Sequence, residues 1–246
     1  MPYEKEEDER SEINWDRLGG EGVQDMHRMD LLLTTHFFCT PSPPAVVPSL
    51  YKQGESAIRI FFLSKNNPLM RKLTIEELQR MDVAEFKQSE KLPLVVVLDN
   101  VRSLHNVGSV FRTADAFRLE RVVLCGITAC PPSAEIHKTA LGAEDSVDWT
   151  YYNDATEAVA ALKAEGYTVF AVEQVEGSVL LPNLTLDPTK RYAVVMGNEV
   201  KGVQQTVVDA ADYALEIPQY GTKHSLNVSV TAGIVMWKFL ELLGVK

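Results

Sequence analysis

The segment IPQYGTKHSLNVSVTA, residues 217–232, decides how the last third of the chain is organised. Its first residues complete an apolar strand, and a polar loop follows. Beyond that loop, apolar residues recur at helical spacing, at Leu226, Val230, Ile234 and Trp237. We therefore predict a helix that starts near Ser225. Its free amide groups and positive dipole end would face Lys223 and His224, an arrangement typical of a pocket for a polar, partly anionic ligand.

Length, charge and cysteine content exclude several classes of protein. The 246 residues are enough for one full core plus an appendage. The uncharged run 31–51 is rich in proline and follows mostly acidic residues, so it is neither a spanning helix nor a signal peptide. We expect a cytoplasmic protein with no membrane partner. Three widely separated cysteines without a CxxC pair indicate reduced thiols and predict no metal.

The net charge of −10 argues against binding nucleic acid by bulk electrostatics. If RNA is a partner, the positive charge that attracts it has to be local.

The chain changes character near residue 70. Residues 1–69 combine a charge run, a glycine-rich stretch and a proline-studded segment, and we predict a poorly ordered or non-native extension. Met70 is a plausible native start. Residues 70–91 read as a short helical lead-in, in which Thr74 and Glu77 match a capping box. Residues 92–246 form the main domain.

From residue 92 onward, apolar strands alternate with helices, which predicts an α/β fold with a mostly parallel sheet. The predicted strands are residues 92–99, 120–126, 147–152, 167–173, 192–197 and 213–218. The predicted helices are residues 106–117, 133–141, 155–165, 204–211 and 225–243. Ligands of such sheets bind beyond the carboxyl ends of the strands.

Two further motifs follow buried strands. In NVGSVFRTADAF, residues 106–117, Asn106 is an adequate helix N-cap and Arg112 lies away from the apolar face. In MGNEVKG, residues 196–202, Gly197 and Gly202 permit close backbone approach and Glu199 offers a carboxylate. Taken singly, these motifs are also explained as a capped surface helix and a turn. All three motifs fall at one edge of one sheet, which favours a ligand site.

The three motifs resemble those of the TrmH/SpoU-type RNA ribose 2′-O-methyltransferases, which belong to the SPOUT superfamily and depend on S-adenosyl-L-methionine. The family patterns NxxxxxRTA, GxExxG and IPxxGxxxSLNVSxA are intact here. The resemblance runs from about Arg71 to the end of the chain and does not reach residues 1–69. It implies a Rossmann-like sheet with a deep C-terminal trefoil knot, and an obligate homodimer with a shared site. The apolar residues Ile234, Trp237, Leu240 and Leu243 fit a dimer interface, and packing on their own sheet explains them equally well.

The resemblance also implies residue roles. Arg112 would activate the 2′-OH directly or through the adjacent phosphate, and Asn106 would orient that arginine or the ribose. The catalytic set is completed by Glu199, Ser225 and Asn227. The expected cofactor contacts are Gly197, Ile217, Leu226, Gly126, Asn198 and Gly202. A local cationic rim for RNA is available from Arg102, His105, Arg118, Lys138, Lys201, Lys223 and His224.

We therefore expect methyl transfer to a ribose 2′-OH of structured RNA, with tRNA favoured over rRNA. One alternative is a catalytically silent knotted protein that binds RNA or assists assembly. Another is a hydrolase that uses Ser225, His224 and Asp209. That arrangement is poor because adjacent residues cannot present nucleophile and base to each other, and the GxSxG elbow is missing.

Overall fold

The computed structural model describes residues 71–244. The chain divides after Lys72, and the unit that begins at Leu73 contains every helix and strand named here. The prediction for residues 1–69 lies outside the described residues. The helices are α1 (Val83–Gln88), α2 (Leu104–Ala116), α3 (Ala134–Ala140), α4 (Ala143–Ser146), α5 (Ala155–Ala164), α6 (Gln205–Ala210) and α7 (Val228–Leu243). The strands are β1 (Leu92–Asp99), β2 (Leu119–Cys125), β3 (Trp149–Tyr152), β4 (Tyr167–Val172), β5 (Val179–Leu180), β6 (Arg191–Met196) and β7 (Tyr213–Glu216).

The seven strands form one sheet in the order β3-β2-β1-β6-β4-β7-β5. Every pairing between neighbouring strands is parallel, which confirms the predicted α/β fold. Six of the strands correspond to predicted ones. The two-residue strand β5 was not predicted because it is too short to show a period. No helix among residues 71–244 has both the length and the apolar character needed to cross a bilayer.

Helices cover both faces of the sheet. In β1, Leu94, Val96 and Leu98 point into the core shared with α2 and α7. Their neighbours Val95 and Val97 point to the opposite core, beneath α5 and α6. Because successive side chains of a strand alternate between faces, a strand buried on both sides needs a continuous apolar run. The sequence of β1 supplies such a run.

Two predicted helix starts are wrong, one by two residues and the other by about three. Helix α2 begins at Leu104 because Ser103 is the N-cap, its side chain accepting from the backbone N–H of Asn106. Asn106 therefore lies inside the helix and is not its cap. Helix α7 begins at Val228, where Asn227 is the N-cap, so the predicted start near Ser225 came too early. The Asn227 side chain accepts from the amide groups of Ser229 and Val230, and these two are consequently not free for a ligand.

The predicted lead-in helix is also displaced. The capping-box hydrogen bonds between Thr74 and Glu77 form, but residues 75–79 make only a turn. The helix in this region is α1, which follows a second capping box formed by Asp82 and Glu85. Both pairs satisfy the pattern equally, so the pattern could not show which one a helix follows.

Helices α2 and α7 pack side by side and run in the same direction. Near their starts, the amide of Asn227 donates to the side-chain oxygen of Asn106 over 3.2 Å. Further along both helices, the rings of Phe117 and Trp237 lie 5.8 Å apart. This arrangement holds the beginnings of both helices at the carboxyl edge of the sheet.

Candidate functional site

The loop after β6 is a tight reversal that only glycine permits at two positions. Backbone hydrogen bonds join Asn198 and Gly202 in both directions, over 3.0 and 2.9 Å. A Cβ atom on Gly197 would lie 2.1 Å from the carbonyl carbon of Gly202. Gly202 has φ +68°, and a Cβ there would lie 2.1 Å from a carboxylate oxygen of Glu173. The two glycines of the second motif therefore shape this loop.

Glu199 reaches from this loop to the beginning of helix α2. Its carboxylate accepts hydrogen bonds from the backbone N–H groups of Arg102 and Ser103, each over 3.0 Å. It accepts a third from the side-chain amide of Asn106, over 3.1 Å. Burial would raise the pKa of this carboxyl, but these hydrogen bonds outweigh burial and hold the pKa below its ordinary value. Glu199 is therefore a carboxylate at neutral pH.

Asn106 joins all three motifs. Its amide nitrogen donates to Glu199, and its amide oxygen accepts from Asn227, the N-cap of α7. The nitrogen and the oxygen of the Asn106 amide thus each have a partner of the correct polarity, which fixes the orientation of the group. Segments that lie far apart in the sequence meet in one chain of hydrogen bonds.

A cavity of about 490 Å³ opens beside this network. It lies at the carboxyl ends of β4, β6 and β7, the edge where ligands of parallel sheets bind. Its volume is within the range of about 300–1,000 Å³ typical of small-molecule sites. Its walls are the segments 172–175, 196–203 and 215–217, together with Gln219 and residues around the start of α7.

The structure brings most of the predicted site residues together. The predicted residues that line the cavity are Gly197, Asn198, Glu199, Gly202, Ile217, Ser225 and Leu226. Asn106 and Asn227 stand beside it through their hydrogen bonds. Gly126 does not line it: it follows β2, where its Cβ position is filled by Asn100, 2.3 Å away. Arg112 is exposed on α2, and its guanidinium makes no hydrogen bond or ion pair within residues 71–244.

The predicted basic residues separate into three groups. Lys201 and His224 line the cavity, and the exposed Lys223 is next to His224. The backbone N–H of Arg102 binds Glu199, while His105 and Lys138 share the carboxylate of Glu135. Arg118 is not brought to the cavity, because it precedes β2 and its carbonyl accepts from Leu92 at the amino edge of the sheet.

Sequence reasoning missed two glutamates and a buried anchor. Glu173 lines the cavity and accepts from the backbone N–H groups of Gln174 and Val203, over 2.8 and 2.9 Å. Glu216 lines it too and accepts from Ser178 over 2.6 Å. Glu173 ends a predicted strand and Glu216 lies two residues before the end of another, so a position near a strand end was the available signal. The anchor is Asp99, which ends β1 and is fully buried.

The remaining reactive groups do not form a second centre in residues 71–244. No three His, Cys, Asp or Glu side chains cluster there as metal ligands would. Burial and the nearby Asp99 raise the pKa of the Cys125 thiol to about 12, so it is not a nucleophile. Asp209 accepts from Gln205 on α6, 2.7 Å away, so no Asp–His–Ser relay is formed.

The sheet is all-parallel, helices cover both of its faces, and the cavity lies beyond the strand ends. These features define an open α/β protein whose ligand site lies at the tight loop after β6. The model of the SpoU rRNA Methylase family matches residues 93–237, more than half of the chain. The chain belongs to this family, which confirms the resemblance drawn from the three motifs.

Individual relatives agree with this placement. Over 145 residues the chain is 35% identical to the 23S rRNA (guanosine-2′-O-)-methyltransferase RlmB of Nitrosomonas europaea, covering 59% of this chain and 55% of that protein. Among solved structures it resembles the A. aeolicus TrmH/SpoU tRNA modifying enzyme, with TM-score 0.58, 27% identity, and 65% of this chain and 80% of that chain covered. It also resembles the AdoMet-bound rRNA methyltransferase of Sinorhizobium meliloti, with TM-score 0.56, 28% identity, and 63% and 61% covered. The chain spans little more than half the length of the Nitrosomonas protein.

Proposed function

We propose that this protein transfers a methyl group from S-adenosylmethionine to a ribose 2′-OH of structured RNA. The observation that carries the proposal is the hydrogen-bond chain Glu199–Asn106–Asn227, which ties the three motifs together beside the cavity. The AdoMet-bound Sinorhizobium enzyme has a related fold, which supports the same cofactor here.

The cavity suits an adenosyl group. Its size is adequate, and Gly197 and Gly202 line its wall at positions where a Cβ atom would clash with the loop backbone or with Glu173. Backbone amides and carbonyls at Gly197, Ile217 and Leu226 would hold the adenine and ribose without a charged side chain. Bound S-adenosylmethionine supplies an electrophilic methyl group. The carboxylates of Glu173 and Glu216 favour a cationic ligand over an anionic one.

Arg112 would act on the substrate from the other subunit of a homodimer. Its guanidinium is exposed and unpaired within residues 71–244, and it does not line the cavity of its own chain. A charged guanidinium is a poor base, so we assign it phosphate positioning and stabilisation of developing alkoxide charge. Glu199, Ser225 and Asn227 would orient the reacting groups.

The exposed face of α7 supports the homodimer. Val230, Ile234 and Trp237 remain exposed there, Trp237 by 58%, whereas Leu240 and Leu243 pack against the core. Three exposed apolar side chains on one helix face indicate a protein contact. A homodimer would bury them and bring Arg112 of each subunit to the partner's cavity.

We also infer the deep trefoil knot. Residues 217–227 leave β7 near one end of the sheet, pass the loop 197–203 at the cavity, and continue into α7. That helix then packs on β1 and β6, in the middle of the strand order. This path supports a chain that threads through its own loop, an exception to the usual rule. The division into an extension 1–69, a lead-in 70–91 and a domain 92–246 stays a prediction, as does the cytoplasmic location.

A tRNA substrate is our preference. The fold shared with the A. aeolicus TrmH/SpoU tRNA modifying enzyme, 80% of which is covered by this chain, supports that preference. A catalytically silent RNA-binding protein is the second candidate, and the complete Glu199–Asn106–Asn227 network is the observation against it.

The test is transfer of tritium from methyl-labelled S-adenosylmethionine into RNA from cells that lack this protein, with tRNA and rRNA fractions assayed separately. We expect label in a 2′-O-methylnucleoside after nuclease digestion. RNA binding without label would identify the silent protein, and label in rRNA alone would overturn the tRNA preference.

A further inference from the structure

We propose that the mouth of the cavity is built for an unpaired nucleotide of RNA, with the ring of Tyr220 as a stacking platform for a base. This inference rests on the proposed function and specifies its substrate. Two loops form the mouth. We call residues 198–203 the first mouth loop and residues 218–225 the second mouth loop.

The mouth loops flank the cavity. Val200 and Lys201 line it from the first loop, and Gln219 and His224 line it from the second. Residues 220–223 lie between two cavity-lining positions, so Tyr220 stands at the entrance rather than inside. It is 95% exposed, more than any other large apolar side chain in residues 71–244. Val200, on the facing loop, is 77% exposed.

The second mouth loop is held at both of its ends. Ile217, just before it, packs against the core, and Pro218 limits the backbone at its start. Near its end, the side-chain amide of Gln174 donates to the carbonyl of His224 over 3.0 Å. The exposed ring of Tyr220 is therefore presented by an anchored loop. An exposed aromatic ring on an anchored loop buries its surface only when another molecule packs against it.

The charge around the mouth matches a polyanion. The chain has 34 Asp and Glu residues, and Glu199 is the only one in the two mouth-loop segments, 198–203 and 218–225. Those segments contain Lys201, Lys223 and His224, all exposed. The carboxylates deeper in the cavity already accept hydrogen bonds. The chain as a whole has a net charge of −10 and would repel RNA phosphates. The basic side chains at the mouth supply the local phosphate contacts.

An aromatic ring between basic groups fits single-stranded RNA better than duplex. Proteins read unpaired nucleotides by stacking splayed bases on aromatic side chains, whereas both faces of a base inside a duplex are covered by the neighbouring base pairs. Stacking contributes about 1–3 kcal/mol per base and tolerates different bases. The expected substrate is therefore a loop nucleotide whose neighbour stacks on Tyr220, with little dependence on that neighbour's identity.

The experiment compares the wild-type full-length protein with Tyr220→Ala and Tyr220→Phe. The probes are an RNA hairpin with an unpaired loop and a duplex in which the same loop sequence is fully paired. We expect Tyr220→Ala to weaken hairpin binding roughly 5- to 150-fold, the equivalent of one stacked base. Tyr220→Phe keeps the ring and should bind like wild type. The S-adenosylmethionine affinity and the sedimentation coefficient should not change in either variant.

The outcomes separate the two proposals. Unchanged hairpin binding by Tyr220→Ala, or equal wild-type binding of hairpin and duplex, would overturn the stacking platform whatever the activity. A change in sedimentation coefficient would place Tyr220 in contact with a second copy of the chain and would also overturn it. RNA binding that needs the ring, without methyl transfer, would support the platform while refuting the proposed reaction.

Discussion

The side-chain amide of Asn227 donates a hydrogen bond to the side-chain oxygen of Asn106, 3.2 Å away and 121 positions earlier in the chain. The same Asn227 caps helix α7 through its oxygen, which accepts from Ser229 and Val230. One side chain thus starts the last helix and holds Asn106 toward Glu199. Stability and site geometry are coupled at this residue, and two substitutions can separate them.

Asn227→Ala removes both functions, whereas Asn227→Ser keeps a capping oxygen but cannot reach Asn106 with an amide. We expect Asn227→Ala to lose about 1 kcal/mol of unfolding free energy, the usual contribution of an N-cap. Asn227→Ser should keep nearly wild-type stability. Both should lose most methyl transfer, as measured by labelled cofactor, with stability measured by urea denaturation. Full activity in Asn227→Ser would show that the contact with Asn106 is dispensable.

Glu199 should make stability depend on pH. A carboxyl whose pKa is lower in the folded protein than in the unfolded chain stabilises the fold above its unfolded pKa, here near 4.5. That contribution is lost as the pH falls through the folded value. Glu199→Gln should therefore cost about 1.5–3 kcal/mol at pH 7, since hydrogen bonds to a charged group are removed.

The pH series tests this assignment by thermal unfolding between pH 7 and pH 3. The difference in Tm between wild type and Glu199→Gln should be greatest at pH 7 and should shrink below pH 4.5. Glu176→Gln is the matched control, because Glu176 is an exposed carboxylate. A difference in Tm that stays constant with pH would mean that the ionised form of Glu199 is not what matters.

Gly197→Ala should disable cofactor binding. The added Cβ would lie 2.1 and 2.2 Å from backbone atoms of Gly202 and Val203, and backbone cannot move aside as a flexible side chain can. Overpacking costs about 1–3 kcal/mol, equivalent to a roughly 5- to 150-fold loss of affinity. Gly221→Ala is the control, because nothing lies within 4 Å of its Cβ position. Calorimetric titration with S-adenosylmethionine should show wild-type affinity for that variant alone.

Asp99 and Gln204 should act as an anchor for the loop after β6. The fully buried carboxylate of Asp99 accepts from the amides of Gln204, over 3.2 and 3.3 Å, and of Asn100, over 2.7 Å. Asp99→Asn places two amide groups against each other, and an unsatisfied buried group costs about 1–3 kcal/mol. We expect a lower Tm in thermal unfolding and weaker cofactor binding in calorimetric titration.

Gln204→Glu introduced together with Asp99→Asn restores a donor and an acceptor at this contact. The double variant should recover most of the lost Tm and cofactor affinity, while Gln204→Glu alone should be destabilised by two facing carboxylates. Additive losses in the double variant would mean that the two side chains do not act as a pair.

Arg112→Ala should abolish methyl transfer and leave cofactor affinity nearly unchanged, whereas Arg118→Ala, at the opposite edge of the sheet, should be active. A heterodimer of an Arg112→Ala chain and a Gly197→Ala chain tests whether the site is shared. If Arg112 serves the partner's cavity, one of two sites remains intact and about half the wild-type activity is expected. A site within one chain would leave the heterodimer inactive.

The sequence alone determined the α/β fold, the parallel sheet and the three motifs. Continuous apolar runs such as that of β1 can be buried only in a doubly covered sheet, and strand ends mark its ligand edge. The family patterns then selected Glu199, Asn106 and Asn227 as site residues. These signals are local, because each is contained in a stretch of about a dozen residues.

Tertiary structure decided which residues meet. Whether Asn106 caps a helix or bridges two loops depends on Ser103 and on partners about a hundred positions away, which no local pattern encodes. The same holds for Glu173 and Asp99, whose roles follow from the backbone that surrounds them. Arg118 precedes β2 and Gly126 follows it, and neither lines the cavity, so their predicted contacts with RNA and cofactor stay predictions. The sequence determines which chemical groups the protein has, whereas the packing of the chain determines which of these groups lie close together.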